Sequence, residues 1–353
     1  MGPPATRMWP DVIRASKGNR TDMKHYLVTG GSGFIGAALV HRLVRDGHRV
    51  RVLDDNSRGH TGRLAGVLDD VEFVQGDIRD PAAVRGAVQG VDGVLHLAAV
   101  NGTKHFYEKP EMVLDVGLRG MLNVLDACRA DGVGDLVVAS SSEAYQTPPV
   151  VPTPEDVPLV VPDVLNARYS YGGSKLISEL LAINWGRSGF DRVAIFRPHN
   201  VYGPDMGWEH VVPEFSRRAV EAIASHPSGP VPFQIQGDGR QTRAFVHIDD
   251  AIDGIVTVVD KGEHLGIYHV GNPEEVTIAD LARQTVSCLG REAQVMPGPA
   301  APGGTDRRSP DIAKLTALGF TPRIPLSAGL PGVVEWYAER ARAELGRMGQ
   351  AAE

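Results

Sequence analysis

Short apolar runs alternate with amphipathic stretches through the first half of this chain. The apolar runs have the length of strands and lie at 26–29, 49–54, 71–75, 93–97, 135–140 and 193–197. Helical patterns stand between them, most clearly at 37–44, 81–89, 112–130 and 168–187. Strands that are apolar throughout are typical of a parallel sheet covered by helices on both faces. The pattern therefore predicts an α/β fold with a Rossmann-type doubly wound parallel sheet.

The pattern changes after residue 197, where proline and glycine become frequent and strands shorten. Helical patterns are fewer there, at 213–225, 248–259, 278–289 and 330–342, and the runs 150–162 and 297–308 are predicted loops. We predict a Rossmann domain at 23–197. A smaller mixed α/β C-terminal domain is predicted at 198–346, with some chain exchange between the two. Residues 1–22 carry no apolar signal segment and are predicted to be a disordered or arm-like extension, with Met23 a candidate native start.

A glycine-rich turn joins the first predicted strand to the first predicted helix. Residues 29–36 read TGGSGFIG, in the order of strand, glycine turn and helix that holds a dinucleotide pyrophosphate. Gly30 allows the tight turn, Gly33 lets the backbone approach the phosphates, and Gly36 lets helix and strand pack closely. The helix N-terminus adds free N–H groups and a partial positive charge. Asp54 ends the second strand, at the spacing expected of the acid that binds the adenosine ribose.

Polar residues follow the fifth predicted strand, at the edge where open parallel sheets bind ligands. Alternate residues of an extended chain face the same side, so Ser141, Glu143 and Tyr145 are expected to share a face. Downstream, Tyr171 and Lys175 stand four residues apart in a helical pattern, which puts phenol and ammonium on one helical face. This edge of the sheet is therefore the expected site of the chemistry.

The Tyr171 and Lys175 pair suits the oxidation of an alcohol. A phenol is a poor base at its ordinary pKa of about 10. Lys175 and a cationic nicotinamide both favour phenolate, so we expect the pKa of Tyr171 to fall towards neutrality. Tyr171 then takes a proton from a sugar hydroxyl while hydride leaves the adjacent carbon, and Ser141 hydrogen-bonds the same oxygen.

Together these motifs resemble the extended short-chain dehydrogenase/reductase family, specifically its NAD-dependent nucleotide-sugar epimerases and dehydratases. The resemblance runs from about residue 23 to about residue 337, with further motifs at 76–80, 96–99, 197–204, 237–243, 269–272 and 308–311. It implies NAD as cofactor and a nucleotide-diphosphate sugar as substrate. It also implies a homodimer joined through the helices near 112–130 and 168–187.

The resemblance assigns roles to individual residues. The implied cofactor-binding residues are Gly30, Gly33, Phe34, Ile35, Gly36, Asp54, Asn56, Asp77, Ile78, Leu97, Ala98, Ala99, Tyr171, Lys175 and Pro198. Within this set, Asp77 and Ile78 would bind the adenine. Asp54 disfavours the 2′-phosphate of NADP by like charge, although Arg58 nearby softens that effect. NAD is therefore the expected cofactor.

The implied substrate-binding residues are Asn101, Lys104, Ser142, Asn200, Arg243 and Arg308. Asn200, Arg243 and Arg308 would hold the diphosphate and nucleoside, because the guanidinium fork binds two phosphate oxygens at once. The segment 101–105 follows the fourth predicted strand and is expected to touch the sugar, with Lys104 facing either a carboxylate or solvent.

Glu143 bears most directly on which reaction is catalysed. It matches the glutamate that removes the C5 proton in 4,6-dehydratases, and the Ser-Ser-Glu order resembles both GDP-mannose 4,6-dehydratase and UDP-glucuronate decarboxylase. The dTDP-glucose dehydratases have an Asp where Ser142 stands here. The segments 197–208 and 297–299 instead resemble the GDP-mannose 3,5-epimerase branch, whose acid/base Cys and Lys correspond to Glu143 and Glu209. Glu143 with Glu209 or His210 is therefore a candidate two-faced proton shuttle.

We predict an NAD-dependent nucleotide-sugar epimerase that works through a transient keto-sugar, with the hydride returned by the bound cofactor. A 4,6-dehydratase with Glu143 as base is the alternative, followed by a nucleotide-uronate decarboxylase. A plain 4-epimerase needs only Ser141, Tyr171 and Lys175. A NAD-sensing or scaffold protein on the same fold stays open, although the chain keeps those three residues.

Charge, hydropathy and cysteine content argue against several other kinds of protein and site. The 353-residue chain has a net charge of −7, which argues against nucleic acid as its main partner. It has no apolar run long enough to span a membrane. Its two cysteines, Cys128 and Cys288, lie far apart and suggest neither a disulfide framework nor a metal site. A cytoplasmic protein is expected.

Overall fold

Seven parallel strands form the central sheet in the computed structural model, which describes residues 23–299 and 305–350. The predicted extension at 1–22 lies outside the described residues. The strands are β1 (His25–Thr29), β2 (Arg49–Asp54), β3 (Val71–Gln75), β4 (Gly93–His96), β5 (Asp135–Ala139), β6 (Arg192–Pro198), β7 (Val201–Tyr202), β8 (Val231–Ile235), β9 (Thr242–Ala244), β10 (Val246–His247), β11 (Gly266–Val270), β12 (Glu275–Thr277), β13 (Ala293–Pro297) and β14 (Arg307–Arg308). The α-helices are α1 (Phe34–Arg45), α2 (Pro81–Val88), α3 (Thr103–Glu108), α4 (Pro110–Asp131), α5 (Ser170–Gly186), α6 (Val211–Ser225), α7 (Ile248–Lys261), α8 (Ile278–Cys288), α9 (Ala313–Ala317) and α10 (Leu326–Gln350).

The central sheet has the strand order β11-β6-β5-β4-β1-β2-β3. Helices α1 and α7 share a hydrophobic core with one face of this sheet, and α2, α4 and α5 share a second core with the other face. Because both faces are covered, β1 and β4 are buried along their whole length, and β5 and β6 nearly so. The predicted doubly wound parallel sheet is confirmed.

The second half of the chain builds a smaller region with its own core. Its short strands form three small sheets, ordered β10-β7, β12-β9-β14 and β13-β8. Helices α6, α8 and α10 enclose a core that includes Phe215, Phe233, Leu281 and Tyr337. Two of these strands, β13 and β14, reach into the predicted loop 297–308, where β14 pairs with β9. Among the described residues, no helix is long and apolar enough to cross a membrane.

The chain does not leave the central sheet at residue 197. Strand β11 pairs in parallel with β6, from Gly266 opposite Ala194 to Val270 opposite Pro198. Helix α7, which precedes β11, packs in the same core as α1. The domain boundary at residue 197 stays a prediction, and the seventh strand of the sheet is an addition to the six that the sequence pattern predicts.

A buried ion pair fixes α5 against the sheet. The Arg197 guanidinium in β6 donates to both carboxylate oxygens of Glu179 in α5, at 2.8 and 2.6 Å. Both side chains are only 3% exposed. Ser140 Oγ, just after β5, also donates to Glu179. Since α5 carries Tyr171 and Lys175, this pair sets the position of both at the carboxyl edge of the sheet.

Removing only one of these two charges should therefore lower the free energy of unfolding. Glu179→Leu leaves Arg197 buried and unpaired, and we expect a loss of about 3–5 kcal/mol in the free energy of unfolding, measured by urea denaturation. The double variant Glu179→Leu/Arg197→Met removes both charges and should recover most of that loss. Glu335→Gln, at an exposed ion pair with Arg342, serves as control and should change stability by less than about 0.5 kcal/mol. A Glu179→Leu variant as stable as the wild type would contradict this account.

Candidate active site

The glycine turn after β1 has no room for side chains. Gly30 has a φ of +72°, which favours glycine, and a Cβ there would lie 2.8 Å from Ala98 Cα. A Cβ on Gly36 would overlap the Gly30 carbonyl oxygen. Helix α1 begins directly after Gly33, and no side chain caps its first N–H groups. The turn thus presents bare backbone and a helix N-terminus, which fits a dinucleotide pyrophosphate.

Asp54 and Asn56 lie beside this turn. Asp54 accepts hydrogen bonds from the Ser32 and Asn56 backbone amides, both at 2.9 Å. Ser32 Oγ donates to Asn56 Oδ1, also at 2.9 Å. The predicted ribose carboxylate and the glycine turn therefore form one hydrogen-bonded unit. Arg58, which the sequence places near Asp54, turns away to pair with Glu209.

The other predicted cofactor residues lie along the next strand ends. Asp77 forms an ion pair with Arg79. The hydrogen bonds from Arg79 are the main reason why the pKa of the Asp77 carboxyl is lowered. Ile78 is buried against Gly120 of α4. The Leu97 and Ala98 amides both donate to Thr29 Oγ1, which joins the segment after β4 to the end of β1. The remaining members of the set lie close by: Phe34 and Ile35 open α1, Ala99 packs in the cluster that contains Tyr171, and Pro198 ends β6.

Ser141, Tyr171 and Lys175 come together at the carboxyl end of β5. Lys175 Nζ donates to the Ala139 carbonyl at 2.7 Å and lies 5.8 Å from the centroid of the Tyr171 ring. Phe106 stacks on the other side of the site, with its ring centroid 5.0 Å from that of Tyr171. The Ser141 hydroxyl hydrogen-bonds the Tyr171 phenol. The three residues predicted to oxidise a hydroxyl therefore share one buried site.

The net effect of the protein's own groups is to raise the pKa of Tyr171. Burial raises it to about 12 and the charge of Glu143 adds to this, while the hydrogen bond with Ser141 opposes both. Burial also lowers the pKa of Lys175 to about 8, against the charge of Glu179. The predicted fall towards neutrality includes a cationic nicotinamide beside the phenol as well as Lys175, so it stays a prediction for the cofactor-bound enzyme.

The chain after Ser141 turns instead of staying extended. Ser141 caps a 3-10 turn over Ser142–Tyr145, and its hydroxyl accepts from the Glu143 amide at 3.1 Å. Tyr145 is buried, with its hydroxyl 2.7 Å from His269 Nε2, whereas Glu143 contacts Arg308. The expectation that Ser141, Glu143 and Tyr145 share a face is wrong, because one turn of 3-10 helix breaks the strand alternation.

Three arginines surround the Glu143 carboxylate. Arg308 forms an ion pair with it, and the charges of Arg168 and Arg243 act on it as well. Burial acts to raise the pKa of Glu143, but the arginines outweigh burial and the net pKa is lowered. Glu143 is therefore ionised at neutral pH. Sequence reasoning missed Arg168, whose only signal is its place three residues before Tyr171 in the turn that leads into α5.

A second carboxylate, that of Glu209, lies at the segment that follows β4. Arg58 donates from both Nη atoms to Glu209 Oε2, each at 3.0 Å, and also contacts His105. Glu209 stands next to Gly102 in the segment after β4, where a Cβ would lie 2.6 Å from Glu209 Oε2. The adjacent His210 has its pKa lowered by burial and by Arg58, so its imidazole is neutral at pH 7.

The remaining predicted substrate residues vary in their surroundings. Asn101 and Lys104 are exposed, and the Asn101 side chain accepts from the Gly102 amide at 2.7 Å. Asn200 donates to the Ala244 carbonyl at 2.8 Å, at the start of the second region. Ser142 is buried. The substrate-binding roles of these four residues stay predictions.

Comparison with known proteins agrees with this geometry. Residues 26–271 match the model of the NAD dependent epimerase/dehydratase family. The chain is 32% identical over 325 residues to a dTDP-4-dehydro-6-deoxy-D-allose reductase from Streptomyces bikiniensis, covering 90% of this chain and 97% of that protein. Among solved structures, it is similar to the dTDP-glucose 4,6-dehydratase DesIV from Streptomyces venezuelae with NAD bound (31% identity, TM-score 0.79, 89% and 97% of the two chains). It is also similar to a UDP-glucose 4-epimerase from Thermus thermophilus in complex with NAD (29% identity, TM-score 0.77, 89% and 98%).

These comparisons confirm NAD as the cofactor and an enzyme of this family as the function class. The glycine turn and the Asp54 unit fit that cofactor, because they offer backbone to a pyrophosphate and a carboxylate to a ribose. The relatives catalyse different reactions, so they do not decide among the reactions that the sequence left open.

Proposed function

The chain belongs to the NAD-dependent epimerase/dehydratase family, and we propose that it is a nucleotide-sugar epimerase that works through a transient keto-sugar. One observation carries the proposal: two separate segments at the carboxyl edge of the sheet each hold a carboxylate. Glu143 lies in the turn that Ser141 caps after β5, and Glu209 lies against Gly102 in the segment after β4. Proton exchange on both faces of a sugar carbon needs an acid/base group on each side.

Each residue has a distinct task in this reaction. The glycine turn and Asp54 would hold NAD, which would supply the acceptor for a hydride from the sugar and the source of its return. Tyr171 takes the hydroxyl proton, Ser141 hydrogen-bonds the same oxygen, and Lys175 stabilises the phenolate. The ketone that forms acidifies the neighbouring C–H bond.

Acid/base groups from the two segments then remove and replace the proton at that carbon. Glu143, ionised beside the arginines, removes the proton from one face. On the other face, the carbon takes a proton from the ring N–H of His210 or from a water molecule held by the Glu209 carboxylate, and the configuration inverts. Solvent then returns a proton to that donor and takes up the proton that Glu143 removed.

A 4,6-dehydratase is the second candidate, and the similarity to DesIV supports it. In that reaction Glu143 is again the base, but elimination also needs an acid for the leaving hydroxyl. The dTDP-glucose dehydratases have an Asp where this chain has Ser142, and a buried serine hydroxyl is a poor acid at neutral pH. This substitution favours the epimerase.

Mass spectrometry in D₂O separates the reactions. We expect one member of a panel of UDP-, GDP-, CDP- and dTDP-sugars to give an isomer that carries deuterium at carbon. Glu143→Gln should abolish deuterium incorporation, and Glu335→Gln, on the exposed face of α10, should not. An isomer without deuterium would indicate a plain 4-epimerase. Loss of water would indicate a dehydratase, and loss of carbon dioxide a decarboxylase. No change with any sugar would favour the NAD-sensing alternative.

We further infer a cytoplasmic homodimer joined through α4 and α5. Both cysteines are free, which suits a reducing compartment. The two helices pack together, with Ser174 of α5 against Gly117 of α4. They also expose apolar side chains at Leu122, Ile177 and Leu180, the last 53% exposed.

Light scattering after size-exclusion chromatography tests the dimer. We expect twice the mass of one chain at micromolar concentration, and Leu180→Glu should shift the protein towards monomer by placing a charge in the contact. Leu68→Glu, at an exposed apolar position away from both helices, is the matched control. A monomeric wild-type protein would contradict the homodimer. Cell fractionation that finds the protein outside the cytoplasm would contradict the cytoplasmic location.

A further inference from the structure

The three arginines around Glu143 form a partly buried cluster, with Arg308 buried and Arg168 and Arg243 half-buried, and it has an excess of positive charge. Arg243 and Arg308 are register partners on the neighbouring parallel strands β9 and β14, and Arg168 joins them from the turn before α5. Glu143 is the carboxylate in direct contact with Arg308. We call Arg168, Arg243 and Arg308 the arginine cluster.

Several nitrogen atoms of this cluster have no partner. The Nε atoms of Arg168 and Arg308 are buried and make no hydrogen bond within the part of the chain that the structure describes. Arg308 is only 5% exposed, and its other contacts go to Glu143 and to Thr305 Oγ1 at 3.1 Å. Unpaired buried donors are costly, so the cluster is built to receive further acceptor atoms.

Like charges repel within the cluster. Burial and the charge of Arg308 lower the pKa of Arg243 to about 10. The charges of Glu143 and Asp306 oppose this lowering, but they compensate the cluster only in part. A diphosphate brings more than one negative charge and several acceptor oxygens, and the planar guanidinium fork matches phosphate oxygens.

We propose that Glu143 pairs with Arg308 until substrate binds, and that the substrate diphosphate competes for the same guanidinium. When the diphosphate pairs with Arg308, Glu143 is released towards the sugar. This inference rests on the proposed function, in which Glu143 is the base. The groups that face Glu143 are Arg308 of β14, Arg243 of β9, Arg168 before α5, and Tyr171 of α5. The base is thus held by an arginine until the substrate arrives.

Release changes the chemistry of the carboxylate. Burial raises the pKa of Glu143, and Arg308 is the group that most opposes this. When phosphate oxygens pair with Arg308, they also neutralise its charge, and Glu143 becomes a stronger base beside the reacting carbon. Proton abstraction would therefore depend on a correctly bound diphosphate.

Titration of the NAD-saturated protein with inorganic pyrophosphate tests the competition without a substrate or a reaction. Because the cofactor fills the glycine turn, pyrophosphate probes the arginine cluster. Glu143→Gln removes the competing charge, and we expect about ten-fold tighter binding by calorimetry, the effect of one charge-assisted hydrogen bond.

A shorter side chain separates displacement from simple repulsion. Glu143→Asp keeps the charge but shortens the reach to Arg308 by one methylene, so displacement predicts that it also binds pyrophosphate more tightly than wild type. Tighter binding by Glu143→Gln alone would mean repulsion only and would overturn the proposal. Equal affinity of all three proteins, or no binding by any, would overturn it too.

Arg308 supplies the reciprocal control. In an Arg308→Gln background the further change Glu143→Gln should no longer tighten pyrophosphate binding, because the shared partner is gone. An undiminished effect there would contradict competition for Arg308. Since none of these titrations needs turnover, they can succeed or fail independently of the proposed epimerase reaction.

Discussion

The buried pair between Glu179 and Arg197 is the interaction on which the site depends. It joins α5 to β6 in the dry interior, and Ser140 adds the end of β5 to the same carboxylate. One turn earlier on α5, Lys175 reaches the Ala139 carbonyl, and one turn before that stands Tyr171. The sheet edge and the helix are thus locked in one geometry. A buried charge pair is expensive to break on one side, so it fixes position even where its net stabilisation is small.

Charge is distributed unevenly across the site that this frame positions. The cofactor side consists of bare backbone and the Asp54 carboxylate, whereas two members of the arginine cluster, Arg243 and Arg308, lie on strands of the second region. Glu143 stands between Tyr171 and that cluster, and it affects both: its charge raises the pKa of Tyr171, and the arginines lower its own. Binding an anionic substrate therefore changes the electrostatics of the base and of the phenol together.

The sequence predicts the sheet well because burial on both faces makes parallel strands apolar throughout. It misses β11, since Gly266–Val270 contains Tyr268 and His269 and lies in a half of the chain rich in proline and glycine. The glycine turn, Asp54, Tyr171 and Lys175 follow from local spacing. Three other features of the site do not follow from local spacing: the turn at Ser142–Tyr145, the raised pKa of Tyr171 and the contribution of Arg168. They involve contacts between segments that are distant in sequence, and periodicity carries no information about such contacts.

In the proposed reaction, Tyr171 takes the hydroxyl proton as hydride leaves the sugar for bound NAD. The most direct test mixes NAD-loaded protein rapidly with the nucleotide sugar it converts and follows the absorbance of reduced nicotinamide in a single turnover. Tyr171→Phe keeps the ring stacked on Phe106, so the fold should stay intact by circular dichroism. This variant should form reduced nicotinamide roughly 10²–10⁴ times more slowly than wild type if Tyr171 is the base. Formation at the wild-type rate would contradict that role.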